Sequence, residues 1–396
     1  MPDRFRGLLL PMHILTLTPF YPTAEDDARG CFIAEALVEL RRQGIQSSVI
    51  AVHPLHRPHP RSAAKAPLAT WKNYFSIPGN AGLSSAGRFL HTAIRAHARQ
   101  LHAQHPVSLI HAHGALPCGH AAMLLAKDLS VPFVLTVHGL DVFATRQVSG
   151  WFGRRCSAVS GHVYQAAARV ICISEQVAQR AREGLGDAAR ISVVYNGVDT
   201  SLFSPAITRS GDAKSDQSVI LSVGNLIPIK GHDLLLRSVA AIDPEHLAVH
   251  CQIIGDGSER APLQKLAREL CIADRVQFLG RRPRADVAAA MRECTLFALP
   301  SWYEGLGCVY LEAMSAERPA IACRGQGIEE IIRQGENGWL VEPKNLNELT
   351  AALHRLLSDR TLRENLGRNG RQTILQGHTL AHQASQLLSI YRELLP

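Results

Sequence analysis

Two successive series of short apolar runs, most of them separated by stretches of helical spacing, constrain this chain more than any other feature. The first half carries "HILTLT" (13–18), "SSVIAV" (47–52), "VSLIHAH" (107–113), "PFVLTVHG" (132–139), "RVICIS" (169–174) and "ISVVYNG" (191–197). The second half repeats the rhythm with "SVILSVGN" (218–225), "AVHCQIIGDG" (248–257), "RVQFLG" (275–280), "CTLFALP" (294–300), "PAIAC" (319–323) and "GWLVEP" (338–343). Strands that alternate with helices imply parallel sheets covered on both faces. Two series therefore predict an α/β protein of two Rossmann-like, doubly wound parallel-sheet domains. Periodicity lapses in "DTSLFSPAITRSGDAKSDQ", where Ser, Asp, Gly and Pro gather. This reading divides the chain into residues 12–200, residues 201–375, and a closing helix over 376–396 that is expected to pack back on the first domain.

The totals agree with that division. A chain of 396 residues, 46% hydrophobic and 19% charged, is long enough for two domains that each bury a core. No apolar run approaches the ~20 residues needed to span a bilayer. "GLLLPMHILTLTPF" is short and interrupted by Pro11 and His13, so it reads as no signal peptide. The physical strand starts at Met12, which leaves residues 1–11 as a basic leader. Nine scattered cysteines without a CxxC pair read as reduced thiols of a cytoplasmic protein. His53, His56 and His59 in a Pro-rich stretch, and "HAH" at 111–113, come with no Cys or carboxylate partner. Local hydrogen bonding or exposure is expected of them, and no metal site.

Charge is informative by location. Residues 1–200 hold 20 Lys/Arg against 12 Asp/Glu, whereas residues 201–396 hold 22 of each. No acidic residue stands between Glu39 and Asp128, although ten Lys/Arg do. Within that gap "SAGRFLHTAIRAHARQLHA" (85–103) has helical spacing, with Phe89, Ala93, Ile94, His97 and Leu101 near one side and Arg88, Arg95 and Arg99 largely on another. Two readings stand: a solvated helix over a sheet, or a cationic face for anionic lipid or a phosphorylated acceptor. Nucleic acid is not expected, because no aromatic interleaving or binding motif accompanies the charge.

Open parallel sheets bind ligands beyond the carboxyl ends of their strands, where Thr18, His113, His138, Ser174, Asn196, Asn225, Asp256 and Glu304 fall. A nicotinamide dinucleotide would need GxGxxG after the first strand. The chain has "TPFYPTAEDDARGCF" there, and "GDGSER" (255–260) ends in Arg260. "SVGNLIPIKGHDLLL" (222–236) instead puts Lys230 at the opening of a helix, where the macrodipole disfavours a cation. Either Lys230 is a surface lysine, or a phosphate shares the place with it.

The stretch "SWYEGLGCVYLEAM" (301–314) sets Glu304 just ahead of a helix expected to begin near Leu306 or Gly307, with Glu312 on its second turn. Two carboxylates flanking the amides of residues 306–309 suit an elongated ligand with hydroxyls at its ends and a phosphate between. The alternatives are charge compensation of a helix N-terminus by Glu304 and a solvated face for Glu312.

These segments, with "VLTVHGLD", "YNGVDTSLFSP" and "LTPFYP…RGCFIAEALVELRRQGI", together resemble glycosyltransferase family 4. These are retaining enzymes of GT-B architecture, two Rossmann-like domains facing a central cleft, that use nucleotide-diphospho-sugars. The resemblance runs from Met12 to about Asn369 in the family's motif order, and the glutamate pair is its hallmark. It implies that Glu304 contacts the transferred sugar and steadies charge at its anomeric carbon, that Lys230 neutralises the departing diphosphate, and that His138 lines the sugar pocket. These three are the candidate catalytic residues. It further implies that Glu312 holds the ribose, that the amides of Leu306, Gly307, Cys308 and Val309 assist at the phosphates, that Gly30 lets backbone approach the diphosphate, and that residues around Gly280 and Arg281 touch the base. Asn225 stands where family members commonly carry Arg, which leaves Arg281, Arg282 or Arg324 to compensate. Glu317 replaces a customary Gly after the glutamate helix, with an effect expected on packing only.

The expectation is thus a retaining glycosyltransferase of the hexosyltransferase type, cytoplasmic, with its basic first domain offered to the inner face of the cytoplasmic membrane. It needs no metal and no cofactor beyond the nucleotide-sugar donor. Its acceptor is a glycan or a polyprenyl-diphosphate-linked sugar, since "HAHGALPCGHAA" and "HGLD" look most like members that build exopolysaccharides or cell-wall polymers. Two rivals remain: a GT-B nucleotide-sugar epimerase, which would convert the donor without acceptor, and a non-catalytic binding protein, which would bind nucleotide without turnover.

Overall fold

The computed structural model describes residues 12–57, 69–78, 82–139, 150–185, 190–206, 218–243 and 247–395. The basic leader, His59, Leu140 and Asp141 of "HGLD", and residues 207–217 of the linker lie outside the described residues. The chain forms two compact units, Met1–Val194 with Gln383–Pro396, and Tyr195–His382.

In the first unit β1 (His13–Thr18), β2 (Gln46–Pro54), β3 (Ala69–Tyr74), β4 (Leu109–His113), β5 (Phe133–Val137), β6 (Arg169–Cys172) and β7 (Ile191–Val193) make one seven-stranded sheet, in the order β3-β2-β1-β4-β5-β6-β7. Every pairing is parallel. Among the described residues five helices join them: α1 (Cys31–Arg42), α2 (Leu83–Gln104), α3 (His120–Leu129), α4 (Gly150–Ala166) and α5 (Glu175–Leu185). The strand β3 has no counterpart among the apolar runs read from the sequence. "ATWKNY" is an edge strand with one neighbour and only Tyr74 buried, so it carries little hydrophobic signal.

The second unit repeats the plan with β8 (Ser218–Val223), β9 (Val249–Ile254), β10 (Val276–Gly280), β11 (Leu296–Ala298), β12 (Ala320–Cys323) and β13 (Trp339–Val341), in the order β10-β9-β8-β11-β12-β13. Its helices are α6 (His232–Ala240), α7 (Arg260–Glu269), α8 (Arg284–Glu293), α9 (Cys308–Ser315), α10 (Leu346–Ser358) and α11 (Arg360–Gly377). The final helix α12 (Leu380–Leu394) joins the first unit from Gln383 onward. There Ala384, Leu387, Leu388 and Tyr391 pack in one core with Ile14, Leu37 and Leu109. Among the described residues no helix is long and apolar enough to cross a membrane.

Local chemistry explains where elements begin and end. Asn345 and Asp359 cap α10 and α11 by accepting from the amides of Glu348 and Leu362, which satisfies first-turn donors. After α9 the chain turns through Glu317 at φ +59°, a conformation that costs a side-chain-bearing residue about 1 kcal/mol. Replacing a customary Gly there acts on the backbone and not on packing alone.

The cationic helix also differs from its expected facing. Its buried line is Ala86, Gly87, Leu90, Ile94 and Ala98. Phe89 is instead exposed and stacks edge-on against Phe75, with ring centroids 5.0 Å apart.

Candidate functional site

In each sheet the strand order reverses once, between β1 and β4 in the first unit and between β8 and β11 in the second. The connections leaving two such strands run to opposite faces, which opens a crevice beyond their carboxyl ends. The loop after β8 carries Lys230, and the loop after β11 carries Glu304.

Backbone contacts hold these two loops against each other. The Trp302 N–H donates to the Ile229 carbonyl at 3.0 Å, and Ser301 Oγ donates to the same carbonyl at 3.0 Å. Gly231, at φ +68°, would place a Cβ 2.3 Å from the Pro300 carbonyl oxygen, so only glycine allows this approach. Lys230 ends the short turn Pro228–Lys230 just ahead of α6. Its Nζ contacts Glu304 Oε2 directly, with each side chain 15% exposed. The Glu304 N–H donates to Oε1 of Gln326, which is buried, at 2.9 Å. Gln326 thus steadies the backbone that carries the carboxylate.

The helix after Glu304 starts at Cys308, one to two residues later than expected, with Gly307 as its cap at φ +82°. The first-turn amides of α9 have no intrahelical acceptor. Leu306 is buried, while Gly307, Cys308 and Val309 are half-buried. Burial, followed by the Glu312 charge, pushes the Cys308 thiol up to about 12, and Asn196 Nδ2 donates to its sulfur at 3.4 Å.

Glu312 is not on a solvated face. It is 4% exposed and accepts from Arg284 Nη1 at 2.8 Å through Oε1. Arg284 also lies over the Phe203 ring at 5.0 Å. A buried carboxylate keeps its charge only beside such a partner. Arg284 was absent from the sequence-derived candidates, yet it opens α8. It carries the same anomaly that marks Lys230, a cation at a helix N-terminus.

The remaining second-unit candidates form no ion pair with Glu304 or Glu312 among the described residues. Asn225, Arg281 and Arg282 are exposed. Arg324 already faces Glu342 at 3.3 Å and Glu329 at 3.9 Å. The glycines of "GDGSER" serve packing: Cβ atoms at Gly255 and Gly257 would lie 1.8 and 2.3 Å from the carbonyls of Gly224 and Leu226.

In the first unit Gly30 caps α1 at φ +67°, and a Cβ there would lie 2.4–2.7 Å from the Phe20–Tyr21 backbone. The fold itself therefore demands glycine at this position. Phe32 lies tilted against His138 at 5.0 Å. His138 follows β5, and its Nε2 is 3.1 Å from Nδ1 of His113, which ends β4. His113 stacks on His111 at 4.5 Å, and His111 is bonded to Tyr391 Oη at 2.6 Å and Thr136 Oγ1 at 2.7 Å. The "HAH" histidines are thus buried and held from distant positions, not exposed or locally bonded. Burial lowers His111 to about 3 and His138 to about 4, and it holds His113 well below the usual histidine value. All three imidazoles are neutral at pH 7. Among the described residues no group of three or more His, Cys, Asp or Glu is placed to hold a metal ion.

Residues 32–202 match the family described as Glycosyltransferase Family 4, and residues 204–373 match Glycosyl transferases group 1. The chain is 31% identical over 267 residues to the uncharacterized glycosyltransferase MJ1178 of Methanocaldococcus jannaschii, covering 67% of this chain and 70% of that one. It is 27% identical over 386 residues to the D-inositol 3-phosphate glycosyltransferase of Mycobacterium marinum, covering 92% and 79%. Among solved structures, HepE of Anabaena in complex with UDP aligns over 97% of this chain and 100% of its own, at a TM-score of 0.76 and 20% identity.

Proposed function

The chain belongs to glycosyltransferase family 4 and is a transferase of the GT-B fold, and from that premise we propose that it moves a sugar from a nucleotide-diphospho-sugar to a glycan or polyprenyl-diphosphate-linked acceptor with retention at the anomeric carbon. The observation that carries this reading is the Lys230–Glu304 pair at the strand-order reversal of the second sheet. A cation and a carboxylate held together there match the two needs of glycosyl transfer, a leaving diphosphate and a positive anomeric centre.

Lys230 turns from Glu304 to the diphosphate as donor binds, and the first-turn amides of α9 share the phosphate charge. Glu304, released from its cation, faces the sugar hydroxyls and the charge developing at the anomeric carbon. The acceptor hydroxyl attacks on the face that the diphosphate leaves, and a departing phosphate oxygen takes its proton. The protein's part is position and electrostatics. Glu312, oriented by Arg284, receives the ribose hydroxyls. No metal is called for in this scheme, because Lys230 and the helix amides carry the neutralisation. The reaction is proposed for the cytoplasm.

HepE was solved with UDP and with UDP-glucose, so uridine donors head the screen. Thermal unfolding with UDP-, GDP- and ADP-sugars should single out one nucleotide, since a ligand selective for the folded state raises its melting temperature. Proton NMR of the product then reads the anomeric configuration. A product of inverted configuration, or donor conversion without any acceptor, would refute the reading.

A further inference from the structure

We propose that the first unit holds an additional anion site, built from Arg88, Arg155, His120 and His162, that accepts a phosphate or diphosphate group. These residues border a cavity of about 220 Å³ between α2, α3 and α4, together with Ser84 and Ser85. Among the described residues two guanidinium groups, two imidazoles and two hydroxyls line it, and no carboxylate does.

The cations of α2 fall into two sets that differ in how they are neutralised. His91, Arg95 and Arg99 all converge on Asp128, at 2.9, 3.2 and 3.8 Å. Among the described residues Arg88, on the same helix, forms no ion pair, and neither does Arg155. Among the described residues the counterion is built in at one cluster and missing from the other. Arg155 stacks over the Trp151 ring at 4.7 Å, which fixes the guanidinium plane while leaving its edge N–H groups to meet an anion.

The floor is His120, 5% exposed. A Cβ at position 87 would come 2.5 Å from His120 Cβ and 2.7–2.8 Å from its ring, so Gly87 lets α2 and α3 close over the imidazole. Burial first, and then the charges of Arg88 and His91, hold His120 below the ordinary histidine value. A local positive field of that kind is what a bound oxyanion relieves. Met123 and Val159 complete the wall. The same phosphate chemistry is offered by a free phosphate and by a lipid headgroup.

Calorimetric titration of pyrophosphate into the full chain tests the site. The exposed pair Arg88→Ala/Arg155→Ala should lower the affinity of this site at least tenfold. The control pair Arg95→Ala/Arg99→Ala, which removes two neighbouring charges but leaves the cavity intact, should change it less than twofold. The titrations are run in a Lys230→Ala background, which removes the lysine assigned to the donor diphosphate and leaves this cavity as the site that is read. Circular dichroism checks that each variant is folded. Flotation on vesicles containing phosphatidic acid or, at matched charge, phosphatidylserine separates the sources. A preference for phosphatidic acid that Arg88→Ala/Arg155→Ala abolishes assigns a lipid phosphate, whereas pyrophosphate binding without that preference assigns a free one. Equal losses in both arginine pairs, or no binding in either assay, would overturn the proposal.

Discussion

Lys230 Nζ and Glu304 Oε2 are in direct contact although 74 positions separate them, and each side chain is only 15% exposed. In the reaction proposed above, a phosphate competes with Glu304 for the lysine. Lys230→Ala should therefore weaken nucleotide-sugar binding by about 10–100-fold, the range of a charge-assisted hydrogen bond at ~1.5–3 kcal/mol. The transfer rate should fall with it. Glu304→Gln should lower the rate more than the donor affinity. Calorimetry and initial rates on the same preparations separate the two effects.

Arg284 and Glu312 form a second pair, with side chains 11% and 5% exposed. Arg284→Met leaves a buried carboxylate without its cation, which should cost about 3 kcal/mol. The double change Arg284→Met/Glu312→Leu should recover most of that stability while still losing nucleotide affinity. Urea denaturation alongside ligand titration reads both, and a double variant as unstable as the single one would contradict this account.

Gly307→Ala should damage activity and stability together. At φ +82° a Cβ would lie 2.6 Å from the Tyr310 ring and 2.9 Å from Glu304 Cγ. A destabilisation of about 1–3 kcal/mol is expected from the backbone alone. Displacement of Glu304 should reduce the rate beyond what lost folding explains, as measured on the folded fraction at low temperature.

The buried histidines predict an acid-side loss of stability. His138 falls from 6.5 to about 4 and His111 to about 3, mainly through burial. The unfolded chain then takes up protons first as pH drops. Their contribution is full above about pH 6.5 and is lost as pH falls towards 4, at up to about 1.4 kcal/mol per pH unit for each histidine. Denaturant titrations at pH 7.5, 6 and 5 measure the slope, and His111→Asn should make it shallower.

Much of this protein was legible in its sequence because the signals are local. Apolar runs mark strands wherever both faces are covered, so β1, β4, β5 and β8 were located to within about two residues. Lys230 and Glu304 stood out because each adjoins a strand-to-helix turn, where charge has a meaning that spacing alone reveals. What only the tertiary structure decided has its cause in contacts between distant positions. The half-exposed edge strand Ala69–Tyr74 takes its place from pairing with β2. Glu312 is buried because Arg284 reaches it from another helix, and Gln326 acquires its task from the loop folded over it. His111 answers to Tyr391, 280 positions away. A carboxylate or an imidazole looks the same in sequence whether water or a distant side chain satisfies it, and only chain packing chooses between them.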